Sequence, residues 1–175
     1  AAIRDITERK KAERTAALLI EERTARETEE RTRRQAEFLL EATQILSSSF
    51  GTSTTLRQLA HLAVRSLADF CVVTLRDRDQ SEPAVVVHGD PAKQVLLEQA
   101  VQQWSEHWQD RHAFERVQAS GEAFLMPNIT SADLDNMARD AEHRRLLGEL
   151  GTRSLMSAPI SIGGELIGSI MLASS

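Results

Sequence analysis

The sequence predicts an α/β (α+β) fold in which a long helix leads into a domain built on an antiparallel sheet. Three observations carry this. Glu8 to Leu46 contains no glycine or proline and is dominated by Ala, Glu, Arg, Leu and Lys, all good helix formers. Cys71–Leu75 and Ala84–His88 are two β-rich runs separated by a charged stretch. Two apolar runs near the C-terminus flank Gly163-Gly164, a two-residue link in which both positions accept positive φ.

In the long helix, Glu22 with Arg26, Glu27 with Arg31, Glu29 with Arg33 and Glu30 with Arg34 stand at i,i+4 in the favourable order. The stripe Ala17, Ile20, Thr24, Thr28 is a poor heptad seam, so the helix reads as a weak parallel coiled coil or connecting rod. From Ala36 onward Phe38, Leu39, Leu40, Ala42, Ile45 and Leu46 give a broad apolar face, where the rod joins a globular body. Ser47–Thr55, with Gly51, stops this helix, and Ser53 or Thr54 is placed to cap the next. There Leu56, Leu59, Ala60, Ala63, Val64 and Leu67 form one buried stripe.

The two β-rich runs follow as adjacent antiparallel strands. Asp90 before Pro91 marks a helix start on which Leu97, Val101, Trp104 and Trp108 share a face. Ala123–Met126 is a short strand closed by Pro127, a polar stretch leads to a helix over Arg139–Leu150 that ends at Gly151, and Ser154–Ile162 pairs with Glu165–Ala173 as a hairpin.

Composition limits the function. With 175 residues and 41% hydrophobic content the chain holds one core. A net charge of −5, with bases interleaved among acids, leaves no basic footprint for nucleic acid. Cys71 is the single cysteine, so no intramolecular disulfide forms, and a reducing, cytoplasmic setting is expected. No apolar run is long enough to span a bilayer, and no signal peptide opens the sequence, so no membrane contact is expected.

Two known family patterns are resembled. Asp5-Ile6-Thr7-Glu8-Arg9-Lys10, with Ala12 and Glu13, resembles the closing motif of PAS sensor domains, in which the triplet ends the last strand and leads into a signalling helix. Ala68-Asp69-Phe70-Cys71-Val72-Val73, Gly151-Thr152-Arg153-Ser154-Leu155-Met156-Ser157-Ala158-Pro159-Ile160 and Gly164-Glu165-Leu166-Ile167-Gly168 resemble the first strand and terminal hairpin of GAF domains. The resemblances imply a PAS remnant at residues 1–7, a helical linker at 8–37, and a GAF domain at 38–175 with five or six antiparallel strands and without its usual closing helix. They also imply a non-catalytic sensory module that binds a small ligand, in a parallel homodimer feeding an output such as the histidine kinase of a two-component system. A ligand-free dimerising relay is the alternative.

The residues themselves point to no catalytic or metal centre. His61, His88, His107, His112 and His143 lack ligand spacing, and none has the context of a phosphoacceptor histidine. Cys71 on an apolar strand reads as a small buried hydrophobe, and a lone cysteine cannot form the disulfide through which GAF-like methionine sulfoxide reductases pass. Asp133, Asp135 and Asp140 lack the glycine and terminal glutamate of a calcium loop and read as a solvated face. Trp104 and Trp108, one turn apart, suit either the core or a wall for a flat ligand; with Met126 and Met156 they are the pocket candidates. The cofactor is left unknown.

Overall fold

The computed structural model describes residues 2–48, 52–77, 80–104, 117 and 120–175. The entry helix α1 spans Ala2–Ser48. It begins before Glu8, so Asp5-Ile6-Thr7 is helical where the PAS resemblance implies the end of a strand. With no strand beside it among the described residues, this backbone makes its hydrogen bonds along the helix.

Two of the expected ion pairs on α1 form, Arg26 to Glu22 at 2.7 Å and Arg34 to Glu30 at 3.1 Å. Arg23 and Arg33 instead reach forward, to Glu27 at 2.9 Å and Glu37 at 2.8 Å. All are exposed, so each contributes only a few tenths of a kcal/mol. Thr24, Thr28 and Thr32 turn their hydroxyls back onto the carbonyls of Glu21, Thr24 and Thr28. Leu18, Leu19 and Ile20 stay exposed, so this segment builds no core of its own.

Residues 1–43 and 44–175 are separate compact units. In the second, α2 (Thr52–Ser66) precedes β1 (Phe70–Asp77) and β2 (Gln80–His88). These strands are longer than their β-rich cores because the charged stretch between them continues the ladder, Leu75 opposite Glu82 and Asp77 opposite Gln80. Then come α3 (Pro91–Trp104), β3 (Phe124–Met126), α4 (Ser131–Met137), α5 (Ala141–Leu150), β4 (Ser154–Ile162) and β5 (Glu165–Ser174). The sheet has five strands, all antiparallel, in the order β2-β1-β5-β4-β3.

Local chemistry explains the boundaries. Asp90 caps α3, its carboxylate accepting from the Ala92 N–H at 2.8 Å. Gly151 takes the left-handed conformation that ends α5, and Gly163 and Gly164 turn the last hairpin with φ of 62° and 86°. Sequence periodicity passes over α4, yet Thr130 and Asp133 form a capping box at its start.

The period-two alternation of the strands divides the core into two layers. Cys71, Val73, Val85, Val87 and Leu172 face Ala60 and Ala63 of α2. Phe70, Val72, Leu155 and Ala173 face the other way, onto Leu97 and Val101 of α3 and Leu150 of α5. At one edge β3 pairs only with Leu155–Ser157, leaving Leu125 exposed and the stretch of β4 that contains Pro159 beyond its reach.

Gly168 sits where β5 passes β1. A Cβ there would lie 2.3 Å from the Thr74 carbonyl oxygen and 3.2 Å from the Leu75 Cα. Backbone cannot yield as a side-chain tip can, so Gly168→Ala is expected to destabilise the domain by about 2–3 kcal/mol. A urea titration of the two chains measures this as a lowered midpoint at unchanged slope.

Candidate functional site

The face of the sheet under α3 and α5 is mostly apolar, but three hydroxyls interrupt it. Thr74, Ser157 and Ser169 are 2%, 2% and 3% exposed. Their strand positions alternate with residues of the opposite layer and share parity with Val72, Leu155 and Met171, so all three stand on the α3 face. Thr74 is directly opposite Ser169, and Ser157 is opposite Met171, one step diagonally from Ser169. Three neighbouring strands, β1, β5 and β4, thus bring together a small polar shelf bordered by Val72, Met171 and Phe124.

No motif marks these residues in the sequence, where each is one small polar residue inside an apolar run. Only the register across three strands unites them.

A second polar cluster lies at the far corner of the same face. His88 is buried and stacks on Phe70, ring centroids 5.6 Å apart and 18° from parallel. Its Nδ1 accepts from the Asp90 N–H at 2.9 Å, so the neutral ring carries its proton on Nε2, which is buried without a partner. The His88 N–H donates to Gln94 Oε1 at 2.6 Å, and Gln94 donates to the Val86 carbonyl, tying α3 to the end of β2. Lys93 Nζ donates to the Leu150 carbonyl at 2.9 Å, joining α3 to the end of α5. Asp69 accepts from both the N–H and hydroxyl of Ser175, at 2.6 and 2.9 Å, which holds its carboxyl below the usual range.

Of the pocket candidates, Trp104 closes α3, the helix that covers the hydroxyl-bearing face, while Trp108 lies outside the described residues. The register separates the two methionines. Met126 stands opposite Leu155, on the α3 face. Met156 stands opposite Leu125 and Leu172, on the α2 face, and is itself exposed. They therefore cannot line one pocket, because adjacent positions on a pleated strand point to opposite sides.

The remaining candidates have structural surroundings. Burial pushes the Cys71 thiol up to about 12 and leaves it protonated. Asp133 and Asp140 cap α4 and α5, and Asp135 is ion-paired with Arg144. His61 is exposed, and His107 and His112 lie outside the described residues. Among the described residues no three His, Cys, Asp or Glu side chains are grouped to hold a metal ion. No described helix is long and apolar enough to cross a membrane.

A family model for the GAF domain matches residues 52–175. The chain is similar in structure to the nlh2 GAF domain of A. aeolicus in an inactive state, with a TM-score of 0.57 at 18% identity over 82% of this chain and 81% of that one. It is similar also to the GAF domain of a phosphoenolpyruvate-protein phosphotransferase from Coxiella burnetii, with 0.58 at 18% identity over 79% and 76% of the two chains. A third neighbour is the free methionine-R-sulfoxide reductase of Neisseria meningitidis in complex with its substrate, with 0.55 at 15% identity over 79% and 72%. No curated protein matches the sequence. At these identities the structural likeness is one of fold.

Two outcomes are expected at this site. Burial and the Lys93 charge lower the His88 pKa from its ordinary 6.5, outweighing Asp90 and Asp69. The unfolded chain then binds a proton that the folded one resists, so stability is full above pH 6.5 and falls as the pH drops below it. Urea midpoints measured from pH 8 to pH 5 should decline, and His88→Gln should flatten the decline. Iodoacetamide at pH 8 should leave Cys71 unmodified in the native chain and alkylate it in urea, as read by intact mass.

Proposed function

The chain belongs to the GAF domain family, small-ligand-binding regulatory and sensory modules of signalling proteins, and from that membership we propose that it is the sensory segment of a cytoplasmic signalling protein. In this reading it binds a small molecule on the α3 face of the sheet and relays occupancy through its helices to an output domain such as a histidine kinase. A PAS domain precedes it, and the active form is a parallel homodimer. The module does no chemistry of its own.

The observation that carries the reading is the shelf of buried hydroxyls on a face otherwise built from apolar side chains. Trp104, Trp108 and Met126 are retained as wall candidates beside it, and Met156 is set aside. The relay has a short path. The strands that carry Thr74 on one face carry Cys71 and Val73 on the other, packed on α2, and α2 begins four residues after the last residue of α1, Ser48. Any ligand that prefers one arrangement of β1 over another therefore biases α2, and equal affinity for both arrangements would transmit nothing. At about 1.5 Å per residue the 47 residues of α1 span about 70 Å.

A second reading, a ligand-free dimerising relay, is favoured by one feature: Leu39, Leu40 and Leu46 near the end of α1 are 63%, 63% and 62% exposed. Native mass spectrometry of the purified chain separates the two. A non-covalent adduct of small mass, lost on denaturation, supports the sensor. An empty dimer supports the relay, and an empty monomer contradicts both.

A further inference from the structure

We propose that His88 is a proton-operated latch on α3: the neutral ring holds the junction between β2 and α3 closed, and protonation of the ring opens that junction while the sheet stays folded. The inference is independent of ligand binding.

The junction is short and densely bonded. β2 ends at His88 and α3 begins at Pro91, so Gly89 and Asp90 alone connect them. The Gly89 N–H donates to the Asp69 carbonyl at 2.8 Å, and the Lys93 and Gln94 N–H groups donate to the Asp90 carbonyl at 3.1 and 3.0 Å. The Asp90 N–H donates to His88 Nδ1, and of these bonds it is the one that depends on a proton equilibrium near neutrality. An imidazolium has two donors and no acceptor. Taking a proton at Nδ1 therefore sets two N–H groups against each other, the ring's and that of Asp90.

A charged ring has no place to stay. His88 is 9% exposed, its Nε2 is buried without a partner, and Phe70 lies along its face. Protonated there, it would hold two buried N–H groups unpaired, so it moves toward water. Lys93 opposes its charge from α3, while Asp90 in the junction and Asp69 before β1 attract it. Gly89 moves with the ring. A Cβ on Gly89 would lie 3.3 Å from the Val64 side chain of α2 and 3.4 Å from the Asp69 carbonyl oxygen, so the junction is seated against α2 and the start of β1, and its release loosens both contacts. The sheet is spared because β2 is its edge strand and because Leu97 and Val101 hold α3 to the core beyond its first turn. The closed ring resists a proton at its ordinary 6.5 and the freed ring does not, so the open fraction rises as the pH falls through 6.5.

Amide exchange of the isotope-labelled full chain, followed by NMR and expressed as protection factors to remove the intrinsic pH dependence, tests the latch. From pH 7.5 to pH 5.5 the protection of the Asp90, Lys93 and Gln94 amides is expected to fall about tenfold, with that of Val72 and Leu172 unchanged. His88→Asn keeps a side-chain oxygen that accepts the same bond from two residues on and takes no proton, so its Asp90 protection should be equal at both pH values. Ring nitrogen shifts of the native chain give a readout that needs no variant: at pH 7.5 the proton of the His88 ring should sit on Nε2. Constant protection at Asp90, an equal loss at Val72 and Leu172, a His88→Asn chain that still loses protection, or a neutral ring protonated on Nδ1 would each overturn the latch.

Discussion

β5 lies against β1 because residue 168 has no side chain. With the Thr74 carbonyl oxygen 2.3 Å from where a Cβ would stand, the register of the two strands requires a glycine at this one point. From the register follows the placement of Thr74 opposite Ser169, of Cys71 opposite Leu172, and of Phe70 opposite Ala173. The two core layers and the polar shelf thus share a register that a side chain at this one position would obstruct. The glycine itself is on the α2 side with Cys71 and Leu172, whereas Thr74 and Ser169 are on the other.

Much of the fold was legible in the residues. Helices announce themselves through caps and stripes, as at Asp90-Pro91 and in the Leu56 to Val64 stripe, although Leu67 falls beyond the end of α2 and is exposed while Leu62 is buried; the Gly163-Gly164 turn places the last hairpin, whose second strand runs one residue further, to Ser174. What escaped were elements whose signal is weak or conflicting. The stretch after Leu75 is charged, which reads as loop, yet an antiparallel pair needs no apolar residues to keep its ladder going. The seven residues of α4 are too few to show a period, and only the reciprocal pair of Thr130 and Asp133 betrays it.

The candidate site was harder to read for a different reason. Trp104, Trp108, Met126 and Met156 attract attention because they are large, but size says nothing about which face a strand residue occupies. Met126 and Met156 belong to neighbouring strands and opposite layers, a fact visible only once Leu155 is known to stand opposite Met126. Conversely Thr74, Ser157 and Ser169 are small and far apart in sequence, and their meeting is a property of strand order. His88 resembles them: in the sequence it is the last residue of a β-rich run and lacks ligand spacing, and only the structure shows its ring stacked in the core on Phe70 and its Nδ1 accepting from the Asp90 N–H.

The brevity of β3 bears on how the domain behaves in a crowded solution. Three residues of β3 protect three of β4, and the outer margin of β4 from Ala158 to Ile162 has no neighbour among the described residues. A bare margin of that kind invites strands from other molecules. Pro159 falls within it and has no N–H to offer an incoming strand, and the irregular register just after Ile160 bends the chain away from the flat geometry that stacking requires. The same short stretch that leaves the sheet open therefore also discourages its growth into a fibre.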